Sequence, residues 1–398
     1  MTLGLERVHV RGFRSARDVA FAPGSLCALV GEANAGKSNL LAAIRALLDP
    51  GAPPLRGDDA SVGGNGTIRV EATLDGGRSL VLDAFPPREP RIDREGAPSV
   101  LVVPSALRGG PLIASSHPQN PAAGRAAKLF REALTGEGDA PRSATIPALS
   151  LVSAVESCCT TGIDGVVFLI EEPELYLRPQ AQRYLYRRLR TLASAGNQVI
   201  YSTHAPAFLN VGRLEELVLV AHDPVAGTKV FQPEPLPADE EFRVVSEFDA
   251  ERSELFLARA AILVEGRTEK LVFPFVFQAL GHDPDRDAIS VIECGGKSNI
   301  PLFARICHAT GVPFVAVHDR DAEPGREPIH AERVLNGLIA EVAGPERTVV
   351  LEPDFEAVAG IRGHKPEGAW RHFRSLSASE VPEPLARAAG IALEFARG

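Results

Sequence analysis

The chain has 398 residues, 45% of them hydrophobic and 23% charged, with a formal net charge of -9. That length leaves room for two globular domains, and the acidic balance excludes a generally basic nucleic-acid coat while allowing a local basic groove. No apolar run reaches the roughly eighteen residues of a membrane span, and the opening MTLGLERVHVRGFRS has no secretory hydrophobic segment. A cytoplasmic protein without membrane contact is expected. Cys27, Cys158, Cys159, Cys294 and Cys307 form no C-x-x-C pair, which suits a reduced compartment.

Residues 1–48 read as strands followed by a helix. Residues 51–64 and 85–125 are rich in Pro and Gly and are expected to be loops. From about 148 to 220 apolar strands alternate with helical patterns, and 221–250 is a polar, proline-bearing linker. From 258 the runs AAILVEG, ISVIEC, VPFVAVHD and TVVLEP alternate with helices. Such alternation predicts an α/β protein with parallel sheets covered by helices, divided into domains over 1–240 and 256–398.

The stretch GEANAGKSNLL fits G-x-x-x-x-G-K-[ST], preceded by the apolar LCALV and followed by a helix former. Gly31 and Gly36 let the backbone N–H groups face a triphosphate, and the helix N-terminus adds favourable partial charge. Lys37 reaches the outer phosphates and Ser38 holds magnesium, with Asn34 and Asn39 completing the ATP-binding set. Downstream, VVFLIEEPELYLRP is a buried strand ending in Glu171 and Glu172. One carboxylate would serve the magnesium shell and the other the attacking water. QVIYSTHAPAFL ends a further strand at His204, which can contact the terminal phosphate or that water. In this order the three segments resemble ABC-type ATPases of the RecF and SMC kind. Those ATPases carry a Ser–Gly-rich signature ahead of the second acidic strand; ATIPALSLVSAVESCC lacks it, so ATP binding is expected ahead of rapid turnover.

In the second half, Glu265 ends a strand in ILVEGRTEKLVF and Glu269 lies four residues on, in the first helical turn. ECGGKSNI gives a glycine turn carrying Lys297, either functional or a turn residue. VAVHDRDAE ends an apolar run in Asp319, Asp321 and Glu323. Carboxyl ends of neighbouring parallel strands share one edge, so Glu265, Asp319 and Asp321 should converge there. Hard oxygen donors in such a cluster suit Mg²⁺ or Mn²⁺.

The E-G turn followed by D-x-D resembles the Toprim pattern of topoisomerases, primases and some nucleases. VEGRTEK, ECGGKSNI, VHDRDA and LEPDFE, joined to an N-terminal ATPase, resemble the OLD (overcoming lysogenization defect) family. The resemblance implies an ABC-type ATPase domain followed by a Rossmann-like Toprim domain with a parallel sheet. It implies metal-dependent cleavage of DNA, commonly with two ions, and a role in defence against phage or in DNA repair. Glu265, Glu269, Asp319 and Asp321 would be ligands, with Glu356, or alternatively Asp354, as a further one. Glu265 or Glu269 would act as base, and Lys365 in GHKPEG would meet charge developing on phosphate. Expected partners are DNA, a second copy of the chain at least, and a helicase-like or other defence protein. A helical dimerisation insert, common between the halves of such proteins, has little room here.

Other features carry less. Arg183, Arg187 and Arg190 form one helical stripe that could meet DNA, although a solvated face is the commoner explanation. Phe13 reads as a core aromatic sooner than an adenine contact. Tyr176, Tyr184, Tyr186 and Tyr201 all precede the second half, which argues against topoisomerase chemistry and for water as nucleophile. No Cys/His group has zinc spacing, which argues against a primase. The non-enzymatic alternative is a P-loop switch whose Toprim half scaffolds a partner.

Overall fold

The structure is a computed structural model that describes residues 4–86, 88–105, 113–115, 121–135, 146–209, 211–234, 252–322, 326–361 and 366–397. The chain divides into two compact units, residues 1–235 and 236–398. Among the described residues no helix is long and apolar enough to cross a membrane.

In the first unit, β1 (Leu5–Phe13) and β2 (Ala16–Phe21) form a hairpin ahead of β3 (Leu26–Val30) and α1 (Lys37–Leu48). Then come β4 (Ile68–Leu74), β5 (Ser79–Ala84), β6 (Arg91–Asp93), β7 (Ser99–Val103) and β8 (Ile113–Ser115). Helices α2 (Ala122–Thr135) and α3 (Ile146–Thr160) precede β9 (Val166–Glu171), α4 (Pro179–Ser194) and β10 (Gln198–Thr203). A hairpin of β11 (Leu217–Asp223) and β12 (Gly227–Phe231) follows. The described strands make one sheet in the order β6-β5-β4-β1-β2-β12-β11-β3-β10-β9-β7-β8.

Its centre, β7, β9, β10, β3 and β11, is parallel. All five residues of β3 are buried, as a strand covered on both faces requires. Strands β6, β5, β4, β1 and β2 form an antiparallel wing that sequence alternation had not separated from the parallel core. The wing meets the core where β2 pairs with β12, through the single ladder pair Gly227↔Ala16. Farther along, the Gln232 amide bonds both the N–H and the carbonyl of Ala22, at 2.9 and 2.6 Å.

The loop expected over 85–125 needs correcting. Residues 99–103 are a core strand, parallel to β9, with Val100 and Leu101 fully buried. Pro98 and Pro104 lie just outside it, where prolines end a strand without removing a ladder hydrogen bond.

The second unit is a parallel sheet. Its strands β13 (Ala260–Val264), β14 (Ile289–Glu293), β15 (Phe314–Asp319) and β16 (Thr348–Leu351) stand in the order β14-β13-β15-β16. Helices α5 (Arg267–Ala279), α6 (Ile300–Thr310) and α7 (His330–Ala343) connect them, and α8 (Phe355–Ala359), α9 (Pro366–Phe373) and α10 (Glu383–Arg397) follow. Leu385, Ala388, Ala389, Ala392 and Leu393 recur at helical spacing on α10 and join one core with Ile262, Val264, Val315 and Val317. Each large aliphatic side chain so buried contributes about 1.5–3 kcal/mol. This core holds the strand ends, and the acids they carry, at one edge.

Candidate functional site

The nucleotide loop runs from β3 into α1. Gly31 and Gly36 have φ of +157° and +112°, and a Cβ at either would collide with the Val220 carbonyl or the Thr228 hydroxyl. Only glycine suits both positions. Lys37, 5% exposed, donates to the carbonyls of Gly31 at 2.8 Å and Glu32 at 2.7 Å, and its ammonium lies 3.3 Å from His204 Nδ1. These contacts hold the ammonium over the loop, where outer phosphates would compete for it. His204 Nε2 is 3.2 Å from Glu172 Oε1, and Ser105 Oγ donates to Glu172 Oε2 at 2.8 Å. Lys37, His204, Glu172 and Ser105 therefore form one polar chain at the ends of parallel strands.

Glu171 ends β9 and Ser38 follows Lys37 in α1, both half-buried. Asn34 is exposed in the loop with φ +63°. Asn39 is turned to the β1–β2 turn, donating to Ser15 Oγ at 2.7 Å and accepting from Arg14 at 3.4 Å. Phe13 is buried in the core. On α4, Arg183 and Arg187 are exposed, while Arg190 lies 3.5 Å from Glu216.

Sequence reading missed Ser105 and Glu174. Glu174, 6% exposed, accepts from Thr203 Oγ1 at 2.7 Å and from the His204 amide at 2.8 Å. Burial raises its carboxyl pKa. It fixes the backbone that carries His204. Its position three after Glu171, in the turn beyond the strand, was the available signal.

In the second unit the register brings Glu265, beyond β13, beside Asp319, at the end of β15. The Asp319 amide donates to Glu265 Oε1 at 2.7 Å. Glu265 is pushed up to about 7, chiefly by burial, with Asp321 and Glu269 adding like charge. Asp319 is pushed up to about 8 by burial and by Glu265, Glu269 and Asp321. Glu269, 8% exposed in the first turn of α5, is raised by burial and by the charges of Glu356 and Glu293. The predicted acids thus gather into one electrostatic cluster. Asp354 is engaged elsewhere, capping α8 by accepting from the Ala357 amide at 2.8 Å.

Asp321 stands slightly apart, with φ +54° and its amide on the Pro353 carbonyl. Its Oδ2 accepts from Lys297 Nζ at 2.7 Å, and Lys297 also donates to Glu332 Oε2 at 3.0 Å. Lys297 is 7% exposed, and its partner Glu332 was not foreseen. Glu323 and Lys365 lie outside the described residues.

The donor set fits a hard divalent cation. The cluster contains oxygen donors only, it is short of positive charge, and Asp319 Oδ1 is buried with no hydrogen-bond partner. Among the described residues, however, no three His, Cys, Asp or Glu side chains are already close enough together to hold an ion. One of the acids, Asp321, is paired with Lys297.

The fold and the two sites define an α/β protein with a P-loop ATPase unit followed by a Toprim unit. The AAA ATPase domain family matches residues 156–209, and the family described as overcoming lysogenization defect protein-like, TOPRIM domain, matches 256–321. The chain is therefore an ATPase–Toprim protein resembling the OLD family, as its motifs led us to expect.

It is 36% identical to the OLD nuclease of Thermus scotoductus over 269 residues, covering 60% of this chain and 51% of that one. It is 29% identical to the Old nuclease of Escherichia phage P2 over 163 residues, covering 39% and 28%. The match thus spans about half of the first relative and less of the second. A solved C-terminal region of the Burkholderia pseudomallei OLD protein is similar over 35% of this chain and 98% of its own length, at 20% identity and a TM-score of 0.27.

Proposed function

We propose that the chain is a metal-dependent DNA endonuclease, with an ATPase domain over 1–240 that controls access or assembly and a nuclease domain over 256–398. The observation that carries this reading is the buried, partnerless Asp319 Oδ1 beside Glu265, with the Asp319 carboxyl pushed up to about 8 by burial and by the neighbouring acids. An unpaired buried carboxylate oxygen among other acids is costly, and a bound cation would offset that cost.

Glu265, Glu269, Asp319, Asp321 and Glu356 would hold Mg²⁺ or Mn²⁺, in all two ions. The bound ions supply Lewis acidity toward a phosphoryl oxygen. Glu265 or Glu269 would take the proton of the attacking water as the new P–O bond forms, and the leaving alkoxide would take a proton from solvent water as the old one breaks. Lys365 is assigned by resemblance to the developing phosphate charge. In the first domain Lys37 binds the outer phosphates of ATP, Ser38 and Glu171 serve its magnesium, and Glu172 with His204 orients water. The second unit has no tyrosine, which supports water as nucleophile. The working assembly is a homodimer at least, in the cytoplasm, acting on DNA in phage defence or repair with a helicase-like or other defence partner.

Supercoiled plasmid incubated with the protein, with and without Mn²⁺ and ATP, tests the reading. Mn²⁺-dependent nicking lost in Glu265→Ala and Asp319→Ala is expected. DNA or partner binding without cutting, unchanged in those variants, would instead identify a scaffold.

A further inference from the structure

We propose that Lys297 is an exchangeable internal counterion: it competes with a divalent cation for Asp321 and is left on Glu332 when that cation binds. This rests on the metal-dependent reading above and adds a positioning pair, Lys297 and Glu332, to it.

The ECGGKSN turn is built to deliver this ammonium. The Gly296 N–H donates to the Glu265 carbonyl at 2.8 Å, fastening the turn to the strand that carries a site acid. Asn299 Nδ2 closes the same turn on the Cys294 carbonyl at 3.0 Å. Lys297 is thereby 7% exposed, where an ammonium is costly unless paired. It is paired twice, to Asp321 at 2.7 Å and to Glu332 at 3.0 Å.

The two acceptors differ in kind. Asp321 belongs to the cluster that crowds Asp319 and Glu265, and Glu332 comes from the first turn of α7. Both acceptor side chains reach solvent, at 43% and 29% exposure, so either can be rehydrated while the lysine shifts between them. An ammonium has three N–H donors, so what sets Lys297 apart is where its two acceptors lie. One acceptor inside the acidic cluster and one outside it provide two resting places, and an arriving cation selects between them.

Mn²⁺ affinity, read by electron paramagnetic resonance of the free ion, tests this on the full-length wild type, Lys297→Met, Glu332→Gln and the double variant. Lys297→Met should tighten Mn²⁺ binding roughly fivefold, and Glu332→Gln should weaken it by a similar factor, because the ammonium then keeps Asp321. In the double variant the Glu332 effect should vanish, since no ammonium remains to be parked. An equal Glu332→Gln effect in both backgrounds means simple charge and overturns the proposal. So does unchanged Mn²⁺ affinity in Lys297→Met with a raised KM for DNA, which would place Lys297 on the substrate. If Lys297→Met fails to fold, Lys297→Gln takes its place in the comparison, and a Glu332→Gln variant that binds Mn²⁺ as tightly as wild type overturns the proposal. A wild type that binds no Mn²⁺ overturns the metal-dependent reading as well, whereas binding without coupling overturns only the exchange.

Discussion

Asp319 donates its backbone N–H to Glu265 Oε1 at 2.7 Å, joining residues 54 apart in sequence across the ends of two adjacent parallel strands. One oxygen of Glu265 is thereby fixed, while Asp319 Oδ1 has no partner. The two carboxyls are held close at an electrostatic cost that a bound cation would offset.

Asp319→Asn should therefore separate stability from activity. Removing one of the repelling charges should stabilise the metal-free protein by roughly 1–2 kcal/mol, as relief of a strained site does. Plasmid nicking should fall about 100-fold or more, as a lost charge-stabilising group does. Thermal melts and a nicking assay on one preparation read both; a destabilised variant that still nicks would count against a charge-strained centre.

The same pair sets a pH dependence. Glu265 and Asp319 reach about 7 and 8 in the fold from ordinary values of 4.5 and 3.8, so the folded state holds their protons more tightly. Their stabilising contribution is full below about pH 4 and is lost as pH rises through 7 to 8. Metal-free protein should melt progressively lower from pH 5 to 8.5. The slope should be shallower in Asp319→Asn and in wild type with Mn²⁺. A steeper decline in either would oppose this assignment.

Lys37→Ala should weaken ATP binding by roughly 10- to 100-fold, the worth of a hydrogen bond from a charged donor. The thermal shift caused by ATP in wild type should shrink accordingly. Unchanged affinity at matched salt and magnesium would remove the loop from the nucleotide site. Mn²⁺-dependent nicking should persist in Lys37→Ala, which would show that nucleotide modulates cutting without performing it.

Glu174→Ala tests a residue two bonds away from the nucleotide chemistry. It strips acceptors from the Thr203 hydroxyl and the His204 amide, costing about 1–3 kcal/mol of stability. ATP turnover should fall roughly 10- to 100-fold through misplaced His204, while nucleotide affinity holds. Unaltered turnover in a folded variant would make Glu174 purely structural.

The P-loop and the acidic strand ends were legible because each places its chemistry directly after an apolar run. Adjacent parallel strands then bring distant acids together by register alone. Strand β7 was hidden by its short length and flanking prolines, which carry the local signature of a loop. Ser105, Glu174 and Glu332 were hidden for another reason. Each acts by hydrogen-bonding a residue far off in sequence, and no spacing rule reports such a partner. The antiparallel wing pairs strands within residues 5–93, but its attachment to the core joins β2 to β12, more than two hundred residues on, and no local pattern reports that.

That pairing has a mechanical consequence. One ladder pair, Gly227↔Ala16, the Thr228 N–H on the Ser15 carbonyl, the Gln232 clamp on Ala22 and the Gln198 amide, which holds both the N–H and the carbonyl of Leu5, fasten the wing to the core. Beside the ladder pair, Ser15 accepts from both Asn39 and Thr228, so the first turn of α1 is bolted to the fastening itself. A load placed on the nucleotide loop reaches this joint within a few bonds, and the apolar core that α1 shares with the wing and the parallel strands carries it onward. The wing is a buttress keyed into the wall, and the triphosphate loop sits beside the keystone.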